Sequence, residues 1–270
     1  MDNLNNRTAL VTGASSGIGE AIARKLAAAG AHLVLVARSE SALSRLAVEL
    51  KEAYGSRCTV ITADLSTTGG PVEVQREIEL KNIEIDILVN NAGFGTYGPF
   101  ETLAAETERR EIAVNISALV GLTHAFIPGM LERRSGAVLN IASTAAFQPA
   151  PYMAVYAATK SFVLSFSEAL WAEFQGRGVH VAALCPGPVD TGFIDKLGDA
   201  SIRQTSVFSK TVKPEQVAEK ALEALQSPNP THIVGFKNWL LANSVRLAPR
   251  RVVAKAGAGL LRPASVKPLP

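Results

Sequence analysis

The sequence predicts an α/β fold in which a doubly wound parallel sheet of roughly seven strands carries helices on both faces. Seven short apolar runs recur along the chain, most of them continuous rather than alternating, as strands buried on both faces of a parallel sheet require. Helix-like stretches separate these runs, which is the pattern of right-handed βαβ units. The 270 residues, 47% hydrophobic and 19% charged, are enough for one domain with a large core.

Each element follows from a local pattern. The predicted strands, in chain order, read TALVTG, AHLVLVA, CTVITAD, DILVNNA, GAVLNIAS, VHVAALCPG and THIVGF. Stretches such as IGEAIARKLAAAG and SALSRLAVELKEAYG lie between them and are predicted helices. No internal repeat or low-complexity tract interrupts the chain before its C-terminal end. Residues 1–230 are therefore expected to form one domain together with 231–270, which hold the last strand and a basic extension.

Composition narrows the class of protein. We expect no membrane-spanning helix, which would need an apolar run of roughly 20 residues. The N-terminus MDNLNNRTALV also lacks the layout of a signal peptide. A cytoplasmic protein is therefore expected. Cys58 and Cys185 lie in apolar runs, which predicts buried thiols rather than redox chemistry. The four histidines are too scattered to predict a metal site.

The turn after the first strand, TGASSGIG, holds Gly13, Gly17 and Gly19. Glycine lets the backbone turn sharply and lets a ligand approach closely. The N–H groups that begin the next helix, with the hydroxyls of Ser15 and Ser16, can donate to an anion. The turn therefore predicts a cradle for the pyrophosphate of a dinucleotide, although its G-x-x-x-G-x-G spacing differs from the commoner G-x-G-x-x-G. A glycine-rich turn without a ligand is the alternative.

The ends of the next two strands indicate which dinucleotide to expect. In NAD-binding sheets an acidic residue commonly follows the second strand and binds the ribose 2′-OH. Here Arg38 takes that place, and a guanidinium binds phosphate well, so NADP(H) is predicted in preference to NAD(H). A surface arginine without a ligand is the alternative. Asp64, at the end of the third strand, could bind an adenine amino group or cap a helix, and the sequence leaves both open.

A second group of residues predicts proton-transfer chemistry. Tyr156 and Lys160 lie four residues apart in a predicted helix, so they share one face. A neighbouring ammonium favours the phenolate and lowers the tyrosine pKa from its ordinary value of about 10, which would make Tyr156 an acid/base. Ser143, after the strand VLNIAS, can hydrogen-bond a carbonyl oxygen where charge develops. By itself, the Y-x-x-x-K spacing is also typical of an ordinary helix face.

The motifs form an ordered set: residues 12–19, NNAG at 90–93, Asn115, Ser143, Tyr156-x-x-x-Lys160 and PGPVDT at 186–191. As a set they resemble the short-chain dehydrogenase/reductase family in its classical form, over residues 7 to about 225. The resemblance implies a Rossmann-type fold and an oxidoreductase that interconverts a ketone or aldehyde and an alcohol. The stretch CPGPVDTGF and the sequence after it look like the branch often called DltE-like, whose substrates are mostly unassigned.

The resemblance also implies roles for individual residues. Tyr156 would be the acid/base, Ser143 would polarise the substrate carbonyl, and Lys160 would lower the tyrosine pKa and hold the nicotinamide ribose. Asn115 would hold a water that relays protons outward. The expected cofactor contacts are Gly13, Ser15, Ser16, Gly17, Ile18, Gly19, Arg38, Asp64, Leu65, Asn91, Ala92, Gly93, Tyr156, Lys160, Pro186, Gly187, Val189 and Thr191.

The substrate class is predicted only coarsely. In this family the loop after the sixth strand forms a lid, here about 189–212, and apolar residues on both sides of it predict an apolar, aromatic or acyl carbonyl substrate. The lid residues are Phe193, Ile194, Leu197 and Phe208, and the opposite wall is expected to hold Phe94, Phe147, Pro149 and Tyr152. Each could instead pack the lid. The alternative functions are a sugar-nucleotide epimerase, for which the chain leaves little room, and a non-catalytic dinucleotide sensor.

Partners are suggested by the predicted catalytic helix and by the C-terminal tail. Phe162, Phe166, Leu170, Trp171 and Phe174 make the helix apolar on more than one face, and with the resemblance this predicts a homodimer or homotetramer. Residues 224–270 hold seven Lys or Arg and no acidic residue. One interpretation of this tail is an amphipathic helix on anionic lipid. A helix that covers the cleft or an oligomer contact is favoured over it, and nucleic acid is not expected because the body of the chain is acidic.

Overall fold

The structure is a computed structural model that describes residues 4–266. Within that range seven parallel strands form one sheet in the order β3-β2-β1-β4-β5-β6-β7. They are β1 Thr8–Thr12, β2 His32–Ala37, β3 Cys58–Thr62, β4 Ile87–Asn90, β5 Gly136–Ile141, β6 Val179–Cys185 and β7 Thr231–Ile233. The order reverses between β1 and β4, which confirms the doubly wound, Rossmann-type sheet.

Helices connect the strands and cover both faces of the sheet. They are α1 Gly17–Ala28, α2 Glu40–Tyr54, α3 Gly70–Leu80, α4 Ala105–Ile112, α5 Leu119–Glu132, α6 Ala154–Glu173, α7 Gly192–Asp195, α8 Pro214–Gln226, α9 Phe236–Ser244 and α10 Arg250–Leu260. A π-helical segment, Ala113–Ala118, joins α4 to α5. On one face, α1, α2 and α8 pack against the strands. On the other, α3, α5 and the end of α6 do so.

The strands are apolar at nearly every position because both of their faces are buried. In β1, Ala9 and Val11 point into one helical layer and Leu10 points into the other. In β2, Leu33 and Val34 alternate in the same way. Since successive side chains of a strand point to opposite faces, a two-sided core demands a continuous apolar run rather than an alternating one.

The helical run Ala105–Glu132 contradicts the expectation that no apolar stretch is long enough to span a membrane. Its 28 residues contain a window of mean hydropathy 1.5, so by length and composition it could cross a membrane. Core helices of globular proteins pass the same test, however, and this one contacts α3 and α6. Its buried Asn115 and Thr123 are also tied to the protein, and Thr123 accepts a hydrogen bond from Asn90 of the sheet at 3.0 Å.

The apolar side chains of α6, expected on more than one face of the helix, are divided between the core and the surface. Phe174 is buried, and Leu170 and Trp171 pack against the same core cluster. Phe162 and Phe166 stack with their ring centroids 5.6 Å apart, and Phe162 is exposed. The face of α6 that is left open is therefore narrower than the sequence suggests.

The C-terminal tail joins the same sheet and covers part of its edge. β7 pairs with β6, so residues after 230 extend the sheet. The buried Leu261 follows α10, and its carbonyl accepts a hydrogen bond from the Tyr97 hydroxyl at 2.9 Å. In α10, Gly257 lies against Pro149 and Pro151, close enough that a Cβ would be 3.2 Å from each. Lys267, one of the basic residues of the tail, lies outside the described residues.

Replacing Gly19 with alanine is expected to lower the free energy of unfolding by about 1–3 kcal/mol, since overpacking of a closed contact costs that much. A Cβ at Gly19 would collide with the carbonyl oxygen of Gly13 and with the side-chain amide of Asn91. Urea unfolding of the variant measures the loss. Gly259→Ala in α10 is the matched control, because a Cβ there meets nothing within 4 Å. Equal stabilities of the two variants would contradict this packing role.

Candidate active site

A cleft of about 450 Å³ opens beyond the carboxyl ends of the strands, beside the point where the strand order reverses. This is the usual position of ligand sites in doubly wound sheets. Of the predicted site residues, only Gly19 and Asn115 do not line it. Those that do are Gly13, Ser15, Ser16, Gly17, Ile18, Arg38, Asp64, Leu65, Asn91, Ala92, Gly93, Ser143, Tyr156, Lys160, Pro186, Gly187, Val189 and Thr191.

The hydroxyl of Thr12 holds the floor of the cleft together. It accepts hydrogen bonds from the backbone N–H groups of Asn91 at 2.9 Å and Ala92 at 3.0 Å. The Asn91 side chain donates in return to the carbonyl of Thr12 at 2.9 Å. The ends of β1 and β4 are thereby joined. Gly19 lies behind this joint rather than in the cleft, where its missing side chain lets α1 approach Gly13.

The glycine-rich turn has the open backbone that the sequence predicts. Gly13 and Gly17 have φ values of +65° and +60°, in the left-handed region that favours glycine. Gly17 faces Thr191 across the cleft, and a Cβ on Gly17 would be 3.0 Å from the Thr191 methyl group. The N-terminus of α1 follows directly, and Ser16 lies at its N-cap. The turn thus leaves space and N–H donors for an anion at this end of the cleft.

The outer end of the cleft carries two guanidinium groups. Arg38 is exposed at the end of β2, and Arg110 of α4 also lines the cleft. Arg110 lies 3.5 Å from the carboxylate of Asp64 and 3.2 Å from the hydroxyl of Ser66. Sequence reasoning missed Arg110, because its helix reads as an ordinary charged surface and is far from the strand motifs. The two cations make this end of the cleft favourable for a phosphate.

Asp64 does not cap α3, which corrects one of the two roles left open by the sequence. α3 begins at Gly70, with Gly69 at its N-cap. Asp64 instead accepts hydrogen bonds from the backbone N–H and the hydroxyl of Ser66, at 3.0 and 2.8 Å. These bonds and the nearby Arg38 and Arg110 lower the pKa of Asp64. The carboxylate is therefore ionised and faces the cleft.

Tyr156 and Ser143 meet in the inner part of the cleft. Ser143 follows β5 at the start of a short 3₁₀ turn, where its hydroxyl accepts a hydrogen bond from the N–H of Ala145 at 3.1 Å. The Ser143 side chain also approaches the phenol of Tyr156 and lowers the pKa of that phenol. The Tyr156 ring contacts Phe193 of the lid, with centroids 5.5 Å apart. Both residues line the cleft, so one ligand group could contact both hydroxyls.

Burial perturbs both members of the tyrosine–lysine pair. Desolvation raises the pKa of Tyr156 to about 12, although the hydrogen bond from Ser143 opposes this rise. It lowers the pKa of Lys160 to about 8. The ammonium of Lys160 lies 5.8 Å from the centre of the tyrosine ring and donates to the carbonyl of Ile141 at 2.8 Å. The side chains that shift the Tyr156 pKa are Ser143, which lowers it, and Glu111, which raises it, so burial decides its direction and the expected lowering by Lys160 is not found.

Asn115 lies behind the cleft, in the π-helical segment. Its amide donates to the carbonyl of Phe94 at 2.9 Å and to the hydroxyl of Thr159 at 3.0 Å, and its oxygen accepts from the N–H of Phe94 at 3.2 Å. Gly93 fits between Asn115 and Lys160, since a Cβ there would be 2.9 and 3.5 Å from their polar atoms. Both hydrogens of the Asn115 side-chain amide are thus bonded to protein. The water that Asn115 is expected to hold would therefore have to donate a hydrogen bond to a carbonyl oxygen.

Glu111 is a buried acid near Tyr156 and Lys160, and sequence reasoning missed it. Its side chain is fully buried and accepts a hydrogen bond from the Thr96 hydroxyl at 2.9 Å, whereas its second oxygen has no partner among the described residues. Burial raises its pKa to about 7, a neighbouring Glu108 adds to the rise, and Lys160 opposes it. The run ETERREI looks like a solvated helix face, so nothing local marks one of its acids as buried.

The apolar part of the cleft is built mainly from the lid, as expected, but from fewer residues. Phe94, Phe193, Ile194 and Phe208 line it. Leu197 is buried in the core of the lid instead, and the other expected residues that do not line the cleft are Phe147, Pro149 and Tyr152. Residues that the sequence did not indicate are Ala145, Gln148, Ala150, Met153 and Val207.

Comparison with known proteins gives one consistent result. Residues 7–201 match the family model for short chain dehydrogenases. A very-long-chain 3-oxoacyl-CoA reductase of Anas platyrhynchos is 38% identical over 68% of this chain and 60% of its own length. An inactive hydroxysteroid dehydrogenase-like protein 1 of Homo sapiens is 36% identical over 68% of this chain and 56% of its own length. The chain therefore spans little more than half the length of these two relatives.

A solved structure covers more of the fold. The short-chain dehydrogenase of Sphingobium yanoikuyae in complex with NADPH superposes with a TM-score of 0.80 at 31% identity. The superposition covers 89% of this chain and 94% of the other. The likeness thus extends over most of this chain and of the other.

Replacing Glu111 with glutamine is expected to flatten the dependence of stability on pH. The pKa of Glu111 rises from 4.5 to about 7 on folding. The stability due to this raised pKa is therefore complete below pH 4.5 and is lost as the pH rises through 7. The loss is at most roughly 3 kcal/mol, at about 1.4 kcal/mol per pKa unit. Urea titrations of both proteins across this pH window measure it.

Glu106→Gln is the control for this experiment. Glu106 lies on the same helix but is exposed, in an ion pair with Arg109. Its variant is expected to follow the wild-type pH profile. If Glu111→Gln also follows that profile, the buried carboxyl is not the group that titrates.

Proposed function

The chain belongs to the short-chain dehydrogenase family, and we propose that it is an NADP(H)-dependent oxidoreductase that interconverts a ketone or aldehyde and the corresponding alcohol. The observation that carries the proposal is one continuous cleft. It joins the glycine-rich turn and Arg38 at one end to Ser143, Tyr156 and Lys160 at the other. A dinucleotide site and an acid/base pair are thus placed where they can act on the same substrate.

The residues present fit a nicotinamide dinucleotide. The positive φ values of Gly13 and Gly17 leave backbone N–H groups uncovered for a pyrophosphate. Arg38 and Arg110 form the cationic end of the cleft, which suits a 2′-phosphate better than a free ribose hydroxyl. These observations support the preference for NADP(H) over NAD(H), and the relative from Sphingobium yanoikuyae is itself in complex with NADPH.

The side chains support a simple division of labour in the reduction. When bound, the reduced nicotinamide supplies the hydride. Tyr156 would donate the proton to the substrate oxygen, for which its raised pKa keeps it protonated. The hydroxyl of Ser143 would hydrogen-bond the same oxygen while negative charge develops on it. The ammonium of Lys160 would stabilise the phenolate that is left.

The lining of the cleft supports an apolar, aromatic or acyl substrate. Phe94, Phe193, Ile194 and Phe208 form an apolar wall next to Tyr156. Fully burying one such side chain or a matching substrate group is favourable by about 1.5–3 kcal/mol, so the wall would select apolar carbonyl compounds. The relative from Anas platyrhynchos is named as a reductase of very-long-chain 3-oxoacyl-CoA, which fits this class.

A non-catalytic dinucleotide sensor is the alternative, since the human relative is named as inactive. In this chain Ser143, Tyr156 and Lys160 are all present and lie together, which favours catalysis. The stacked Phe162 and Phe166 on the open face of α6 support our further proposal of a homodimer or homotetramer. The cytoplasmic location stays a prediction.

Replacing Tyr156 with phenylalanine is expected to lower turnover by about 10²–10⁴-fold, the usual contribution of a positioned acid/base. The measurement is NADPH oxidation with a panel of aliphatic, aromatic and acyl-thioester ketones. Binding of NADPH is expected to persist, because the glycine-rich turn is unchanged. Tyr54→Phe, at an exposed position of α2, is the control and should keep full activity. NADPH binding by the wild type with no turnover of any substrate would favour the sensor.

Replacing Arg38 with alanine is expected to weaken NADPH binding by about 10–150-fold and to leave NADH binding nearly unchanged. A hydrogen bond to a charged group contributes about 1.5–3 kcal/mol, and about 1.4 kcal/mol corresponds to a factor of ten. Fluorescence titration of both cofactors measures the two affinities. Arg45→Ala is the control, because Arg45 is likewise exposed but lies on α2 and outside the cleft. Equal losses for both cofactors would contradict a 2′-phosphate contact.

A further inference from the structure

An apolar stripe lies on the outer side of α9. Phe236, Trp239 and Leu240 occur at spacings of three and four residues, which place them on one face of the helix. The rings of Phe236 and Trp239 stack with their centroids 6.0 Å apart. Phe236 is 75% exposed, and Leu247, in the 3₁₀ turn that follows, is 90% exposed. Single exposed apolar residues are ordinary, whereas a contiguous group marks an interaction surface.

Exposed basic side chains occur in α9 and in the segment of the chain that follows it. Lys237 lies within α9, Arg246 follows it, and α10 contributes Arg250, Arg251 and Lys255. All five are exposed. The last acidic residue of the chain is Glu223, so the tail carries no negative charge of its own. We call the four apolar and five basic residues together the tail surface.

The charge of the tail surface decides between its possible occupants. A second copy of the chain would pair this surface with itself about a two-fold axis, because isologous contacts use the same patch on both subunits. Five cations would then face five cations, which is unfavourable. A nucleic acid would satisfy the cations but would leave Leu240 and Leu247 in water. An anionic bilayer satisfies both sets, with head groups for the cations and the acyl boundary for the apolar side chains.

We propose that the tail surface docks the protein peripherally on an anionic lipid bilayer. Trp239 would lie at the head-group level, where amphipathic aromatic rings are favoured, and Phe236 would reach the acyl boundary. The exposed basic residues of α9 and of the segment after it would contact the anionic head groups. The docking needs no spanning segment, because the stripe lies along the surface of the protein.

The tail that carries this surface also packs beside the cleft. Asn238 of α9 lies against Gly187, which lines the cleft, and a Cβ on Gly187 would be 2.6 Å from its amide nitrogen. At the other end of the tail, Leu261 packs in the same cluster as Ile194 of the lid. The tail thus packs against residues of the cleft and of its lid at two places. An apolar carbonyl substrate would therefore reach the cleft from the bilayer, an extension that rests on the proposed function.

Vesicle binding tests the docking without using catalysis. The wild type is expected to co-sediment with vesicles of phosphatidylcholine and phosphatidylglycerol, less so as salt increases, and not with phosphatidylcholine alone. Arg250→Gln/Arg251→Gln is expected to weaken binding about 30-fold, since each cation near an anionic surface is worth about 1 kcal/mol. Arg45→Gln/Arg76→Gln, on exposed parts of α2 and α3, is the matched control and should bind as the wild type does.

A spectroscopic variant locates the contact. Trp171 and Trp239 are the only tryptophans of the chain, so Trp171→Phe leaves Trp239 as the reporter. Its emission is expected to shift to the blue with the anionic vesicles only. Leu240→Ser should reduce the binding roughly tenfold, whereas Leu80→Ser, at an exposed position of α3, should not.

Three outcomes would overturn the docking: equal binding to neutral vesicles, an unshifted Trp239 emission, or a change in oligomeric state of Leu240→Ser, which would indicate that a second copy covers the surface. Turnover of a water-soluble ketone is expected to be equal in wild type and tail variants. A wild type that binds vesicles but turns over no substrate would refute the proposed function and leave the docking standing.

Discussion

The hydrogen bonds to the hydroxyl of Thr12 hold together the part of the fold on which the cleft depends. They join β1 to the segment after β4 at the place where the strand order reverses, and a doubly wound sheet has its open crevice at that place. The rest of the floor follows from this joint. Asn91 closes it from the other side, and Gly19 lets α1 approach it, so the N-terminus of the helix faces the crevice. A ligand site is therefore a consequence of the topology.

The inner half of the cleft depends on a second constraint, which is burial of charge. Tyr156, Lys160 and Glu111 lie within one desolvated region, where Glu111 raises the pKa values of Tyr156 and Lys160, and Lys160 lowers that of Glu111. Burial disfavours the charged form of all three, so the pKa values of the two acids rise and that of the lysine falls. The uncharged side chain of Asn115 lies beside this region and forms hydrogen bonds with the backbone of Phe94. The chemistry of the site is thus set by packing as much as by the identity of its residues.

Most of the fold and the nucleotide half of the site could be predicted, because their signals are local. Each buried strand is a continuous apolar run, and the glycine-rich turn lies between one strand and the helix after it. The residues that prediction missed are set by contacts between distant segments. Arg110 reaches the cleft from a charged helix, and Glu111, on the same helix, is buried by Thr96 and by α6. Nothing in the run ETERREI distinguishes the buried glutamate from its exposed neighbours.

The sequence by itself determined the order and type of the strands, the glycine-rich turn, the pairing of Tyr156 with Lys160 and the basic character of the tail. Each of these depends on residues close together in the chain. Only the tertiary structure decided that Asp64 closes a turn rather than capping a helix, that Leu197 belongs to the core of the lid, and that the stripe on α9 is exposed. Whether a side chain is exposed, and which residues it contacts, depend on which surfaces meet when the helices pack on the sheet. A local sequence pattern does not contain that information.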